Sequence, residues 1–319
     1  MKPFIEGLKA PLADEVQQYL ARFNQIRFTP ALPSSNWRDD VSAFADGTIV
    51  EGEFLESERA QVSAWANKAP HDADGFLEWF TGLQKVGPGQ NDSLFPWLAR
   101  SATLEQMKWF LTQEVAGEAG FDDLTALTQV RLPRRAKLEL ARNYWDEMGR
   151  GNKKGMHGLL LETLAVSLGL MPRIETTVWE ALALANTMAG LAANRRYAFH
   201  SIGALGVIEM TAPARAAAVA AGLKRLGIPA ADRHYFDLHS ILDVKHSLAW
   251  NAEAIRPLVA DRPDVAFAIA EGALMRLNCG KRCFERYRLE FGLTACTGSE
   301  EKFNPSATSA APRIGDHQL

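Results

Sequence analysis

The sequence is short of cysteine, of charge imbalance and of long apolar runs, and each shortage removes a class of protein. Three cysteines in 319 residues make no disulfide framework. Cys279 and Cys283 lie one helical turn apart with Cys296 beyond them, and with no second pair to complete a soft-metal site they read as inert thiols. The formal net charge is −3, with acids and bases interspersed, so no basic footprint for nucleic acid exists. No run approaches the roughly 18 apolar residues of a membrane span. The first twenty residues, MKPFIEGLKAPLADEVQQYL, are too polar for a signal peptide. These absences predict a cytoplasmic chain without a membrane partner. Period-two alternation long enough for a sheet is missing too, as is any internal repeat.

What the chain has is helix. Hydrophobic residues make up 47% and charged residues 23%, ordinary proportions for a protein with a sizeable core. Stretches such as VWEALALANTMAGLAANRRYAF (178–199) and ARAAAVAAGLKRLG (214–227) are built from strong helix formers. Glycine and proline punctuate them at Leu132-Pro133, Gly149-Arg150-Gly151, Leu170-Met171-Pro172, Gly227-Ile228-Pro229 and Arg256-Pro257. The expectation is an all-α helical bundle over residues 91–300. An N-terminal helical extension covers 1–90, and 301–319 form a disordered tail rich in Ser, Pro and Ala.

One short segment concentrates ligand chemistry. In HSILDVKH (239–246), a helix turning about 100° per residue puts Asp243 at about 40° from His239 and His246 at about −20°. All three then face the same way. Bundles build metal sites from acids and histidines that project inward from facing helices. Other candidates in apolar helical contexts are Glu114, with Glu118 one turn on, Glu147, His157 and Glu209. Glu209 follows eight residues without charge, an expensive place for a carboxylate that lacks a cation. Each also has a plain structural reading. Glu114 and Glu118 could line a solvated face, Glu147 could pair with Arg150, and Glu209 could sit wet before a break at Pro213. His157 alone would serve equally as a core histidine. His71, His200, His234 and His317 have no matching partners and read as structural or surface residues. Ten residues separate Glu147 from His157, about 80° apart on an ideal helix, so both reach one centre only if the helix breaks between them. Gly149, Gly151 and Gly155 supply the freedom for that.

Together Glu114, Glu147, His157, Glu209, His239, Asp243 and His246 offer four carboxylates and three imidazoles. Oxygen and imidazole donors without thiolate suit iron or manganese better than structural zinc or copper(I). Four negative charges balance two divalent ions, and two ferrous ions can deliver two electrons to O₂ as a bridged peroxide.

The segments FLTQE–AGFDDLTAL, NYWDEMGRGNKKGMHG, GALGVIE and YFDLHSILDVKHSLAW resemble the heme-oxygenase-like diiron oxidases, the iron-containing redox enzymes, across roughly residues 90–260. The resemblance implies a heme-oxygenase-like bundle that binds two irons and no heme. Glu114, His157, Glu209, His239, Asp243 and His246 would be the usual six ligands. Glu118 is an alternative to Glu114, and Glu147 an additional carboxylate of members that oxygenate nitrogen. The implied activity is O₂-dependent N-oxygenation of a small amine or amino-acid derivative. The alternative is oxidative C–C cleavage, decarboxylation or desaturation of an amino or fatty acid, and a non-catalytic scaffold is the third reading. With no flavin or ferredoxin domain, electrons would come from an external donor. A homodimer is a family-style expectation only. Tyr144, Trp145, Arg150, Arg195 and Arg196 lie near ligand-bearing segments and could contact the small-molecule substrate, although arginines are equally at home on wet helix faces.

Overall fold

A computed structural model describes residues 10–117 and 120–293. Glu118, Cys296, His317 and the expected C-terminal tail fall outside the described residues. Within them every regular element is helical, and the one β-type pairing is an isolated bridge between Met148 and Met156. The all-α expectation is met.

The chain opens with α1 (Ala10–Phe28), α2 (Trp37–Ala66) and α3 (Ala73–Val86). A short α4 (Leu94–Arg100) leads to α5 (Leu104–Gly117), α6 (Phe121–Thr128) and α7 (Arg134–Glu147). Two 3-10 turns, Gly149–Gly151 and Lys153–Gly155, carry the chain to α8 (His157–Leu168). Then come α9 (Trp179–Ala193), α10 (Ala198–Arg225), α11 (His234–Trp250), α12 (Arg256–Asp261) and α13 (Ala266–Glu290).

Local chemistry fixes several boundaries. Asp72 starts α3 by accepting from the Gly75 amide at 2.7 Å. Thr103 and Gln106 form a reciprocal capping box at the start of α5, each side chain accepting from the other's backbone amide. Gly169, at φ 65°, ends α8 in the left-handed conformation that an L side chain resists.

The middle of the bundle is α10, packed mainly on α11 and α13. Its approach to α13 is set by glycine. A Cβ on Gly203 would lie 1.9 Å from the Ile269 carbonyl oxygen, and one on Gly272 would lie 1.8 Å from that of His200. Trp250 closes the α11 side, fully buried, with its indole N–H on the Ile202 carbonyl at 3.2 Å. Burying a side chain of this size contributes roughly 1.5–3 kcal/mol. The first three helices share this core: Leu20, Phe54 and Phe80 belong to the same buried cluster as Ile202, Leu205 and Leu274. A second cluster, including Leu98, Phe110, Leu164 and Tyr287, packs around α4, α5 and α8.

The break expected at Arg256-Pro257 is absent, and so is the one at Pro213 on which the plain structural reading of Glu209 depended. α10 runs straight through Pro213. That proline cannot donate to the Glu209 carbonyl four residues back, and packing from several neighbours holds the helix across the gap. At Arg256-Pro257 the chain also stays helical. A π turn over Asn251–Ile255, in which the Arg256 amide reaches back to the Asn251 carbonyl, absorbs the proline and joins α11 to α12. The expectation that no segment suits a membrane span is corrected as well. Arg195–Arg225 is long and apolar enough by length and composition, but it is the core helix of the bundle and mostly buried.

Candidate metal centre

Six of the seven expected ligand residues gather in two buried groups. Glu147, His157 and His239 form one; Glu209, Asp243 and His246 form the other. Within each group the candidate ligand atoms lie within 4.8 Å of one another. The first group depends on the break the sequence demands: Glu147 is the last residue of α7 and His157 the first of α8. Between them Gly149, Arg150 and Gly151 all take positive φ, and the Met148–Met156 bridge closes the loop. Gly149 and Gly155 touch backbone to backbone, so a Cβ on Gly149 would meet the Gly155 carbonyl carbon at 2.4 Å. The loop folds back on itself and delivers the carboxylate and the imidazole to one point, with His157 Nδ1 2.6 Å from Glu147 Oε2.

HSILDVKH lies on α11, and its three ligand residues divide between the groups. His239 joins Glu147 and His157, its ring 4.6 Å from that of His157 and edge-on to it. Asp243 and His246, further along the helix, join Glu209 on α10. Asp243 also ties the groups together, accepting from His239 Nδ1 at 3.0 Å.

Several contacts orient the imidazoles. His246 Nε2 is bonded to Asp146 Oδ2 at 3.1 Å, which leaves Nδ1 facing Glu209 Oε2 at 3.4 Å. A carboxylate behind an imidazole is the usual means of fixing a ligand tautomer. Asn143 donates to Glu209 Oε1 at 2.5 Å. Neither Asp146 nor Asn143 is among the residues singled out from sequence. Their signal is helical spacing, since Asn143 stands one turn before Glu147 and Asp146 beside it.

His239 Nε2 is buried without a partner, and His157 Nδ1 and His246 Nδ1, although 2.6 and 3.4 Å from Glu147 and Glu209, make no aligned hydrogen bond to them. Each belongs to one of the two groups. An unpartnered buried nitrogen costs free energy, and a cation shared with the neighbouring carboxylates would remove that cost. Charge tells the same story. Burial pushes the Glu209 carboxyl up, reinforced by Asp243 and Glu147. For His239, burial acts to lower the pKa, but the Asp243 hydrogen bond and the surrounding carboxylates win and hold it at about 9. His246 is raised likewise, burial being outweighed by Glu209 and Asp146. Without metal the site keeps its acids by holding protons. The donors are oxygen and imidazole with no thiolate, a set that fits iron.

Glu114 is the exception to the expected set. It belongs to neither group; it accepts from the Tyr287 hydroxyl at 3.0 Å and lies near Arg215 and Arg276. Sequence context identified an acid in an apolar helix but could not specify the side of the bundle α5 would face. Tyr144, Trp145, Arg150, Arg195 and Arg196, weighed as possible substrate contacts, are not among the residues lining the space beside the two groups. Arg150 pairs with Asp146 rather than Glu147, Arg195 donates to the carbonyls that end α6, and Arg196 reaches Glu56. Trp145 is half exposed. His200 is structural, bonded to Glu271 at 2.9 Å. Both described cysteines are buried and free, and burial pushes the Cys279 thiol up to about 12, in keeping with an inert role.

A cavity of about 210 Å³ opens from the two groups, touching Glu147, His157, His239, Glu209 and Asp243. Its volume, below the roughly 300–1,000 Å³ of drug-sized sites, leaves room only for a small ligand.

The sequence model of a family described as iron-containing redox enzyme matches residues 108–281, more than half of the chain and all six grouped ligand residues. No curated protein sequence gives a match. Among solved structures the chain is similar to a CADD-like protein of unknown function from Nostoc punctiforme, with a TM-score of 0.51 and 18% identity. That match covers 67% of this chain and 95% of the other. At such identity it speaks for the fold.

Proposed function

Because the chain belongs to the iron-containing redox enzyme family, we propose that its two ligand groups hold two irons and that it is a non-heme diiron oxygenase. The observation that carries this reading is the pair of adjoining buried triads facing one small cavity. Glu147, His157 and His239 would hold one ion, and Glu209, Asp243 and His246 the other. Two ferrous ions held there would supply the two electrons that O₂ activation needs. The protein's own part is placement. Asp146 holds the His246 tautomer, Asn143 fixes Glu209, and the apolar walls exclude water from the reacting end.

For the reaction, we favour N-oxygenation of a small amine- or amino-acid-derived metabolite, supported by Glu147, the carboxylate that the resemblance ties to nitrogen-oxygenating members, standing in the first group beside His157 and His239. The apolar lining, with Phe110, Leu161 and Phe236 among its residues, supports a second reading: oxidation at carbon of an amino or fatty acid. In either case repeated turnover draws electrons from a separate donor.

The test is anaerobic loading with Fe(II), iron counted per chain, then rapid mixing with O₂. About two irons per chain and a transient visible band that is lost in His246→Ala are expected. Failure to bind iron ends the reading. Product mass then separates the reactions, one added oxygen on nitrogen against release of CO₂.

A further inference from the structure

The end of the cavity away from the ligand groups has its own chemistry. Arg215 on α10 and Arg276 on α13 both line it, with Glu114 on α5 between them in charge. Neither arginine has a carboxylate within ion-pair distance among the described residues. Arg215 instead lies over aromatic rings, its Cζ 4.9 Å from the Phe284 centroid and 5.7 Å from that of Phe95. Arg276 Nε is buried without a hydrogen-bond partner. Nearby acids do not offset this. Asp92 is already paired with Arg288. Glu114 takes a hydrogen bond from Tyr287, and burial pushes its carboxyl up toward the neutral form. Among the described residues, the two guanidiniums therefore face one carboxylate not already paired, Glu114, in a place where unpaired buried charge is expensive. Burial, with help from the charge of Arg276, lowers the Arg215 pKa to about 9.

We propose that Arg215 and Arg276 are the anion-binding end of the cavity, and that the substrate is a small carboxylate whose acid group docks there while its other end reaches the metal groups. Guanidinium forks recognise carboxylates in the plane, with two parallel hydrogen bonds. One helix sets the span. Arg215 is six residues beyond Glu209 on α10, about 9 Å along the axis. On α10 the lining residues between the two are Thr211 and Ala212, and the cavity is otherwise lined largely by apolar side chains such as Leu184 and Met188. A bound carboxylate would thus have charge at one end, an apolar stem, and its reacting atom at the other. The assignment of the far end rests on the iron reading of the site; the anion end stands on its own residues.

The experiment is calorimetric titration of the metal-free protein with octanoate and L-leucine, each beside its neutral amide. We expect an acid to bind at least tenfold tighter than its amide. Arg215→Gln and Arg276→Gln should each weaken that acid tenfold or more, with iron per chain unchanged, and Arg215→Lys should recover part of the loss. Preference for octanoate assigns a fatty-acid substrate, and preference for leucine an amino acid. Equal binding of acid and amide, wild-type affinity in the glutamine variants, or no binding of either acid would overturn the proposal. Selective acid binding by a protein that takes up no iron would leave the anion end intact and remove the diiron reading alone.

Discussion

The molecule buries charge in two places and treats it in opposite ways. Along the seam of α2 and α13, each buried acid has its own guanidinium. Glu51 holds Arg27 at 2.6 Å, Glu58 holds Arg282 at 2.8 Å, and Glu271 holds Arg59 at 2.9 Å with His200 at the same distance. Where α7, α8, α10 and α11 meet, Glu147, Glu209 and Asp243 are also buried, yet no lysine or arginine among the described residues pairs with them. Only histidines do, and His239 Nε2 is left with no partner. A permanent countercharge makes a structural site. One that comes from protons, and can be given up, makes a site for an ion.

That contrast predicts opposite responses to mutation. The largest effect on stability belongs to the seam. Arg282→Ala strands the fully buried Glu58 and should cost about 3–5 kcal/mol, roughly a 10 °C fall in melting temperature, with iron content retained by the fraction that folds. A calorimetric scan showing no loss would erase the distinction. Next is pH. His239 has its pKa raised from 6.5 to about 9 in the folded chain. Its contribution is therefore complete below about pH 6.5 and is lost as pH rises through 9. For the metal-free protein that amounts to about 2–3 kcal/mol. Denaturant titrations from pH 6 to 9 should show this decline without metal and not with iron bound, because a coordinated imidazole has no proton to lose. Iron affinity moves the other way, rising by up to about tenfold per pH unit for each proton displaced.

Smaller effects sharpen the picture. Gly149→Ala places a Cβ in a positive-φ position against the Gly155 backbone. It should cost about 1–3 kcal/mol and weaken iron at the first group more than at the second, as competitive chelation would reveal. Glu209→Gln should shift metal-free stability by less than about 1 kcal/mol, in either direction, because burial already disfavours the charged form. The same change should reduce iron per chain. A large loss of metal-free stability would mean that Glu209 is structural after all.

The helical class and most of the centre were legible because both follow from local rules. Propensity reads the helices, and a face repeating every three to four residues reads HSILDVKH. Those same rules explain what stayed hidden. Angle around a helix gives direction but not height, and His246 lies about 10 Å along the axis from His239, so one face serves two groups. Glu147 and His157 demanded a break, and the glycines between them marked its place. Glu114 looked equivalent to the ligands because an acid in an apolar helix reads the same whether it meets a metal or Tyr287. Arg276 went unnoticed in AFAIAEGALMRLNCG, although a lone arginine in an apolar run is as informative as a lone glutamate. Pro213 and Pro257 misled, since proline's local penalty yields to packing around a central helix.

The loop between Glu147 and His157 carries one further consequence, for the order of events in maturation. Two ligands of one group sit at facing helix ends, joined by a nine-residue crossing whose outer part, Gly151–Lys154, is exposed. Helix ends and exposed turns open at low free-energy cost, well before the core does. On the diiron reading this crossing would be the doorway for the ion, and a bound ion would close it by tying both helix ends to α11. Hydrogen exchange should reveal that sequence: rapid labelling of residues 148–156 in the metal-free chain, and marked slowing there, ahead of any change in α13, as Fe(II) is added. Equal labelling with and without metal would mean that loading proceeds by another route.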